Sequence, residues 1–465
     1  LGPVYKDLEL AKHGSKYIFP EVMYALLFSD GESLIGYNKD LDRTCNEIAK
    51  FSKKDAQKYR ELASYYMKFK DLFVGYLYNP PVPVTQMYEP LEKTDEGREM
   101  IRIFLADMQS ILDENFESEE VKAWLGLHLT QAGHSHTSYG GAVLVPTMMV
   151  LAFIDGIGEA VGGSKTLADA MVRFIEAHGG TVKNNCHVSK LLIENGTASA
   201  VQLSDGTTIN GKLFVSNVEV KQLMEDIVGN EHLPPEIKRQ VERWKYDENS
   251  LFTVHLALNE PPRWEAKDPK IQEGFCVGFG VDTIDVLTSQ YNDIRRGIPP
   301  KDIGPLSVMC SIADPTQAPP GKHTAFIWQY APYRLANEKG IPTLEGAEKW
   351  DDIKDEYGEK CMDVWRKFAP NLTKDNILGQ YNDSPLDFGR RSISLREGSM
   401  CSGALSPHQM GMFRPFHGYP PYRTPIENLY MCGPSTHPAG GCSGAPGYNA
   451  AGVIADDQKF KKWWK

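Results

Sequence analysis

The segment 429–457, LYMCGPSTHPAGGCSGAPGYNAAGVIADD, predicts a short strand, a glycine-rich turn and a helix. The apolar start breaks at Gly433, and small residues and prolines follow it. Glycine lets another group approach the backbone closely, and Pro446 suits the first turn of a helix. Amides at a helix start are unsatisfied, and the helix dipole is positive there. The turn is therefore suited to an anion or a polarised carbonyl, with a plain surface turn as the alternative.

The same segment resembles the C-terminal FAD signature of phytoene-desaturase-like oxidoreductases. That signature runs L-Y-L-C-G-x-x-x-H-P-G-G-G-x-x-G-A-P-G-x-N-A-A, and Ala439 is a mild departure from it. Within the superfamily, the chain looks most like the branch of pyridine nucleotide-disulphide oxidoreductase domain-containing protein 2 and its bacterial relatives. The resemblance implies FAD as the cofactor. It places these residues at the cofactor: Gly433, Pro434, His437, Gly440, Gly441, Cys442, Ser443, Gly444, Ala445 and Asn449.

The resemblance extends to the middle of the chain. The order of helix, strand, hairpin and strand over residues 166–217 matches the middle segment of these flavoproteins. It implies that the backbone of Val188 binds adenine, and that the loop of Ser216 and Asn217 lies near the pyrophosphate. Whether or not Val188 binds adenine, we expect it to be a core residue of a strand.

A third stretch precedes the last strand. The resemblance places Arg414, His417 and Tyr419 beside the isoalloxazine ring and the substrate tunnel. Arg414 would then orient a substrate or the flavin, with a structural ion pair as the alternative.

One expected part of a flavin site is missing from the sequence. Flavoproteins of this class begin with a strand, a G-x-G-x-x-G turn and a helix, followed by an acidic residue that holds the ribose. No such fingerprint occurs here, and the segment 1–10 resembles family sequence that follows this unit. We expect the natural chain to extend upstream of Leu1. Loss of the unit, and its supply by another polypeptide, are the alternatives.

We expect an α/β fold with an α+β substrate lobe, as in FAD-dependent desaturases and amine oxidases. A discontinuous Rossmann-like FAD-binding domain would accompany a mixed-sheet substrate domain with a helical lid. The expected division is as follows: 1–150, first part of the substrate and lid lobe; 151–222, middle part of the FAD-binding domain; 223–424, mixed-sheet substrate domain; and 425–465, C-terminal part of the FAD-binding domain.

Local patterns predict individual elements. The predicted helices and loops are helices over 40–51 and 55–73, a loop over 79–90, one helix from Thr94 through Leu112, a helix capped by Ser118, and helices over 166–177 and 350–368. The predicted strands are a hairpin over 19–37, strands over 181–183, 188–194 and 199–203, a buried strand over 213–217, and strands over 251–258, 307–312 and 323–330.

Composition excludes several classes of function. A net charge of −11 without a basic block argues against a nucleic-acid partner. The eight cysteines contain no C-x-x-C pair, so neither a zinc site nor a thioredoxin-type motif is predicted. No apolar run is long enough to span a bilayer. We expect a soluble protein of the cytoplasm or an organellar matrix, and leave peripheral membrane contact and a homo-oligomer open.

Other groups of residues give weaker evidence for a functional site. His134 and His136 have the spacing of a metal pair, but no third ligand is placed to complete a site, so no metal is predicted. Cys442 is expected to be a small buried residue rather than a flavin tether. Ser435 and His437 lack the G-x-S-x-G context of a nucleophile.

The sequence therefore predicts an FAD-dependent oxidoreductase that takes a hydride from a hydrophobic substrate to flavin N5. The flavin would perform the redox step and the protein would fix the geometry, so no catalytic residue is assigned. Two rivals stay open. One is a flavin-dependent polyene isomerase without net oxidation, and the other is a non-catalytic assembly subunit or chaperone with an incomplete FAD site.

Overall fold

The computed structural model of this chain describes residues 2–130, 133, 135–154, 156–441 and 443–464. The helices of these residues are α1 (Pro3–Asp7), α2 (Leu41–Ile48), α3 (Lys53–Met67), α4 (Lys70–Tyr78), α5 (Val84–Glu92), α6 (Asp95–Leu105), α7 (Met108–Asn115), α8 (Glu119–Leu129), α9 (Leu144–Ile154), α10 (Lys165–Ala177), α11 (Pro235–Glu242), α12 (Ile284–Arg295), α13 (Cys310–Ala313), α14 (Trp350–Phe368), α15 (Pro385–Arg391) and α16 (Ala445–Asp457). The strands are β1 (Tyr17–Ile18), β2 (Val22–Leu27), β3 (Ser33–Tyr37), β4 (Glu159–Ala160), β5 (Val188–Glu194), β6 (Thr197–Leu203), β7 (Thr208–Asn210), β8 (Phe214–Ser216), β9 (Asn249–Leu258), β10 (Cys276–Phe279), β11 (Leu306–Val308), β12 (His323–Pro332), β13 (Ile377–Asp383) and β14 (Leu429–Met431).

A mixed seven-stranded sheet forms the larger lobe. Its strand order is β13-β9-β12-β11-β10-β2-β3. The pair β10 and β2 runs parallel, whereas the other neighbours run antiparallel. The N-terminal hairpin β2–β3 therefore belongs to the same sheet as the strands of residues 249–383.

One face of this sheet packs against α14. Side chains alternate along a strand, so Phe252 and Val254 of β9 lie on the same face and are fully buried. Trp350 and Trp365 of α14 are fully buried in the same cluster. The indole nitrogen of Trp350 donates to the carbonyl of Pro332 at 3.0 Å. These large apolar contacts give the sheet its main hydrophobic core.

A second core lies between the hairpin β2–β3 and the N-terminal helices. It includes Leu26 and Leu34 of the hairpin and Trp124 of α8. Several of these helices begin at side-chain caps. The hydroxyl of Thr94 accepts from the amide of Gly97 at 3.0 Å, which fixes the start of α6.

A separate parallel pair, β8 and β14, joins the middle of the chain to its C-terminus. Leu429 lies opposite Phe214, and Met431 lies opposite Ser216. The meander β5–β6–β7 lies before this pair and α16 follows it. This pairing is what a discontinuous dinucleotide-binding domain requires, and the predicted fold class is confirmed. The domain boundaries given above stay a prediction.

Most predicted elements are present. The hairpin, the helix 350–368, the strands 188–194 and 199–203, and the Ser118 cap are all confirmed. The helix predicted over 55–73 is divided into α3 and α4.

Several local predictions are wrong. Helix α5 occupies part of the predicted loop 79–90 and includes Pro90, which removes only one backbone donor from a short helix. The long helix from Thr94 breaks at Ala106, because Asp107 accepts from the amide of Ser110 and starts α7. Residues 181–183 form no strand, and the strand predicted over 307–312 ends at Val308 and is followed by α13. The strand β8 is not buried, since Val215 is 46% exposed.

The core beneath the sheet provides a first test. The indole N–H of Trp365 is buried without a hydrogen-bond partner, and its ring stacks on Phe279 at 6.0 Å. We expect Trp365→Ala to lower the free energy of unfolding by about 3–5 kcal/mol through the cavity it leaves. Trp365→Phe keeps the stacking and removes the unpartnered donor, so its loss should stay below about 1.5 kcal/mol. Urea unfolding would measure both, with exposed Trp463→Ala as the control; equal losses for the two variants would contradict this account of the core.

Candidate functional site

The loops after β8 and β14 lie against each other. The amide of Cys432 donates to the carbonyl of Ser216 at 2.8 Å. A Cβ on Gly433 would stand 2.1 Å from the carbonyl oxygen of Asn217, so only glycine allows this approach. The amide of Val220 donates to Oγ of Ser435 at 3.1 Å. The structure therefore brings the predicted residues Ser216, Asn217 and Gly433 together at the carboxyl end of two parallel strands, where α/β sheets bind nucleotides.

The glycine-rich loop ends at the N-terminus of α16. Gly444 is the N-cap and has a left-handed backbone, with φ of +67°. Oγ of Ser443 accepts from the amide of Ala445 at 3.3 Å. A Cβ on Gly441 or on Gly447 would meet nothing within 4 Å, so the space beside the backbone is open there. The helix thus directs a positive dipole end toward a loop with room beside it.

Gly440 and Gly444 instead face the protein itself. A Cβ on Gly440 would come within 3.1 Å of the Cα of Cys401, and a Cβ on Gly444 would come within 3.1 Å of the side chain of Val4. Cys442 lies outside the described residues. The open side of the loop is therefore at Gly441 rather than along its whole length.

Two predicted cofactor residues cap the C-terminus of α4. Nε2 of His437 donates to the carbonyl of Tyr76 at 2.7 Å. Nδ2 of Asn449 donates to the carbonyls of Leu77 at 2.9 Å and Asn79 at 3.1 Å. Burial lowers the pKa of His437 to about 4, so the ring is neutral at pH 7. The donors of both side chains are thus used within the protein.

The acceptors of the same two residues are not used. Nδ1 of His437 and Oδ1 of Asn449 are buried and have no hydrogen-bond partner in the described protein. A buried acceptor without a partner is unfavourable, so each is suited to a donor that a ligand brings.

Arg414 makes structural contacts within the protein, and its predicted contact with a substrate or the flavin stays a prediction. Its guanidinium is buried and its N–H groups donate to backbone carbonyls, among them those of Pro434 and Cys401. The ring of Trp244 lies 5.0 Å from the guanidinium carbon. The backbone carbonyl oxygens accept from the N–H groups of the guanidinium, so its burial does not require an ion pair.

His417 and Tyr419 make local contacts. His417 is exposed, its amide donates to Gln240 at 2.9 Å, and its carbonyl accepts from the same side chain. The hydroxyl of Tyr419 donates to the carbonyl of Thr424 at 3.1 Å within its own turn. These contacts hold a surface turn, and substrate binding by the two residues stays a prediction.

Val188 begins β5 and pairs with Leu203 of β6. It is half-buried against the cluster that also contains Leu429 and Met431. The structure therefore shows a strand position in the same lobe as the loop, and its contact with adenine stays a prediction.

A row of mostly aromatic side chains crosses one face of the large sheet, and the sequence alone did not predict it. On the face opposite α14, Tyr24, Cys276, Val308, Phe326 and His255 lie side by side in register across five strands. The rings of His255 and Phe326 stack at 5.2 Å, and the row is half-buried at Tyr24, Phe326 and His255. Register depends on strand pairing, which a single sequence does not reveal.

The row continues along β12. Trp328 lies two residues after Phe326 on the same face, and both Trp328 and Met400 pack against the buried cluster that contains Tyr330. The residue after Met400 is Cys401, which contacts Gly440. The four residue steps from Phe326 to Tyr330 add about 13 Å of length to this face of the sheet.

Asp247 is a second residue that the sequence did not single out. Its carboxylate accepts from Oγ of Ser399 at 2.6 Å. Burial raises its pKa to about 6, against the opposing effects of the Ser399 hydrogen bond and the charge of Arg414. The protein thus holds a half-buried acid close to its buried arginine.

Metal and membrane signals are weak. In the described ranges, no three His, Cys, Asp or Glu side chains are grouped as a metal site would require. His134 lies outside those ranges, and Nε2 of the buried His136 is bonded to Thr288 at 2.9 Å. The part of the chain that the structure describes contains no helix with the length and apolarity needed to cross a bilayer.

The raised pKa of Asp247 predicts a pH-dependent stability. The folded state keeps its proton up to about pH 6, whereas the unfolded chain releases it near pH 4, so the stability from the protonated form is lost as pH rises through about 6. Asn mimics the neutral carboxyl at every pH. Asp247→Asn should therefore be more stable than wild type by about 1–3 kcal/mol at pH 7.5 and equal to it near pH 4. Urea unfolding at both pH values measures this, with exposed Asp302→Asn as control; a difference that does not change with pH would contradict it.

Comparison with known proteins agrees with this geometry. The family model described as flavin containing amine oxidoreductase matches residues 86–454. The chain is 28% identical to a limonene dehydrogenase subunit of Castellaniella defragrans, over 100% of this chain and 85% of that protein. It is 27% identical to pyridine nucleotide-disulfide oxidoreductase domain-containing protein 2 of Rattus norvegicus, over 98% of this chain and 83% of that protein. A solved oxidoreductase from Methanosarcina mazei shares the fold, with a TM-score of 0.60 at 16% identity over 98% of this chain and 85% of that one.

These matches confirm the resemblance inferred from segment 429–457, and phytoene desaturases match as well. The chain belongs to the flavin containing amine oxidoreductase family, whose cofactor is FAD.

Proposed function

We propose that this protein is an FAD-dependent oxidoreductase that removes a hydride from carbon in an apolar hydrocarbon substrate. The observation that carries the proposal is the open glycine-rich loop at the N-terminus of α16, placed where two parallel strands end. Family membership supports the oxidoreductase class.

The residues present suit a flavin. The backbone beside Gly441 and Gly447 is open, because an added Cβ would meet nothing within 4 Å, and the positive end of α16 favours electron-rich carbonyl groups. The free acceptors of His437 and Asn449 suit a ring N–H or a ribityl hydroxyl. When bound, the flavin supplies hydride acceptance, which no amino-acid side chain offers.

The aromatic row suits an apolar substrate. Tyr24, Phe326 and Trp328 present half-buried rings on one sheet face, and the rings of Phe326 and Trp328 lie 6.0 Å apart. Such rings bind hydrocarbon surface without demanding polar partners. The relatives that act on limonene and on phytoene, by their names, favour a terpene or a polyene as the substrate class.

The protein's own side chains would orient the flavin and the substrate rather than transfer protons. Burial lowers the pKa of His437 and of His128 to about 4, so neither ring is a proton donor at pH 7. Nδ1 of His128 donates to the carbonyl of Trp124 at 2.6 Å, and its ring lies 4.5 Å from that of Tyr24. The neutral ring of His128 thus borders the apolar row, which would exclude water from a substrate bound there.

Flavin binding is tested at the open side of the loop. Gly441→Asp places bulk and a negative charge where no atom lies within 4 Å, so we expect flavin affinity to fall about tenfold or more. Gly340→Asp is the control for bulk and charge at another open glycine; its φ is +75°, against +130° for Gly441. Visible absorption after reconstitution with FAD measures the bound flavin. Equal flavin content in the two variants would refute the placement of the ring.

Substrate binding is tested on the aromatic row. Trp328→Ala removes a large apolar side chain that packs against the cluster of Tyr330, so KM for an apolar substrate should rise about tenfold while flavin content stays constant. Limonene and phytoene are the probes, and anaerobic bleaching of the flavin spectrum reports the reaction. Tyr139→Ala, at an exposed tyrosine, is the control. A KM that Trp328→Ala leaves unchanged would place the substrate elsewhere.

A further inference from the structure

We propose that Arg414 is the positioning residue that preforms the glycine-rich loop for the flavin. The inference rests on the proposed function and assigns to Arg414 an indirect role, because the side chain is 2% exposed and lies behind the loop. It acts by holding backbone carbonyls in place rather than by touching a ligand.

The guanidinium ties three separate stretches of chain together. Nε and Nη2 both donate to the carbonyl of Pro434, at 3.0 and 2.9 Å. Nη1 donates to the carbonyls of Ala404 at 3.1 Å and Gln409 at 3.3 Å. Nη2 also donates to the carbonyls of Cys401 at 2.8 Å and Gly403 at 3.2 Å. One side chain thus fixes the segment 401–404 and Gln409 to the start of the loop.

The segment 401–404 is in turn a wall of the loop. Oγ of Ser435 donates to the carbonyl of Ser402 at 3.1 Å. The backbone of Gly440 lies so close to Cys401 that an added Cβ would come within 3.1 Å of its Cα. The loop is therefore held near both ends by a segment whose own position depends on Arg414.

Only arginine suits this arrangement. Five carbonyl oxygens converge on one buried point, and their partial negative charges repel one another unless donors lie between them. The planar fork of arginine offers five N–H donors in fixed directions, whereas the ammonium of lysine offers three from a single atom. We call this set of hydrogen bonds from Arg414 to the five carbonyls the clamp. Lysine would keep the positive charge but lose most of these hydrogen bonds.

A preformed loop has a measurable effect on affinity. Apparent affinity falls in proportion to the fraction of protein whose site is in the binding-competent form. If release of the clamp leaves the loop formed about one tenth of the time, the Kd for FAD rises about tenfold. The same release exposes loop amides to solvent exchange in protein without flavin.

The test compares Arg414→Met and Arg414→Lys with wild type and with Arg423→Met. Arg423 is a matched control because it pairs with Asp457 at the opposite end of α16. Two measurements are made well below each variant's unfolding temperature: hydrogen exchange of residues 433–441 in flavin-free protein, and the Kd for FAD by fluorescence titration.

We expect both Arg414 variants to show faster exchange in 433–441, unchanged exchange in α14 and at least about tenfold weaker FAD binding, with the control near wild type. Full recovery of affinity by Arg414→Lys would overturn the clamp, since charge alone would then suffice. Lower thermal stability with unchanged exchange and Kd would also overturn it. If wild type itself binds no FAD, the proposed function fails, while the exchange measurement still decides the role of Arg414.

Discussion

The site depends on the pairing of two three-residue parallel strands from distant parts of the chain. Register between Phe214–Ser216 and Leu429–Met431 places the two following loops side by side, and a slip of one residue would reverse the faces of the strand. Strands this short do not hold register alone. A cluster that includes Leu429, Met431 and Trp244 buries their apolar side chains. The same Trp244 covers the guanidinium of Arg414, so the core that fixes the strands also supports the loop.

Sequence patterns predicted the elements whose cause is local. The caps at Thr94 and Ser118 and the amphipathic helix 350–368 are determined within a few residues, and the structure has them where expected. The errors lie where apolar periodicity or apolar composition was the only basis for the prediction. Asp107 restarts a helix that apolar periodicity alone would continue, and the apolar composition of 213–217 predicted burial for a strand whose Val215 is exposed.

The loop and the helix of the candidate site were predictable from the sequence, but their contacts were not. The motif identified the loop and helix correctly, because glycine, proline and small residues at fixed spacing leave few alternatives. It did not show that the donors of His437 and Asn449 serve the end of α4, since that contact joins residues more than 360 positions apart. The aromatic row escaped prediction for the same reason. Its members come from five strands, and only strand order makes them neighbours.

The electrostatic character of the site follows from burial. Burial keeps the rings of His437 and His128 neutral, and it raises the pKa of Tyr76 to about 12, so these groups carry no charge at neutral pH. Burial also lowers the pKa of Arg414 to about 10, which still leaves the guanidinium charged. A loop backed by one buried cation and by a helix N-terminus favours an electron-rich ligand, while the neutral rings and the aromatic face favour an apolar one. The proposed flavin beside a hydrocarbon substrate would satisfy both demands at once.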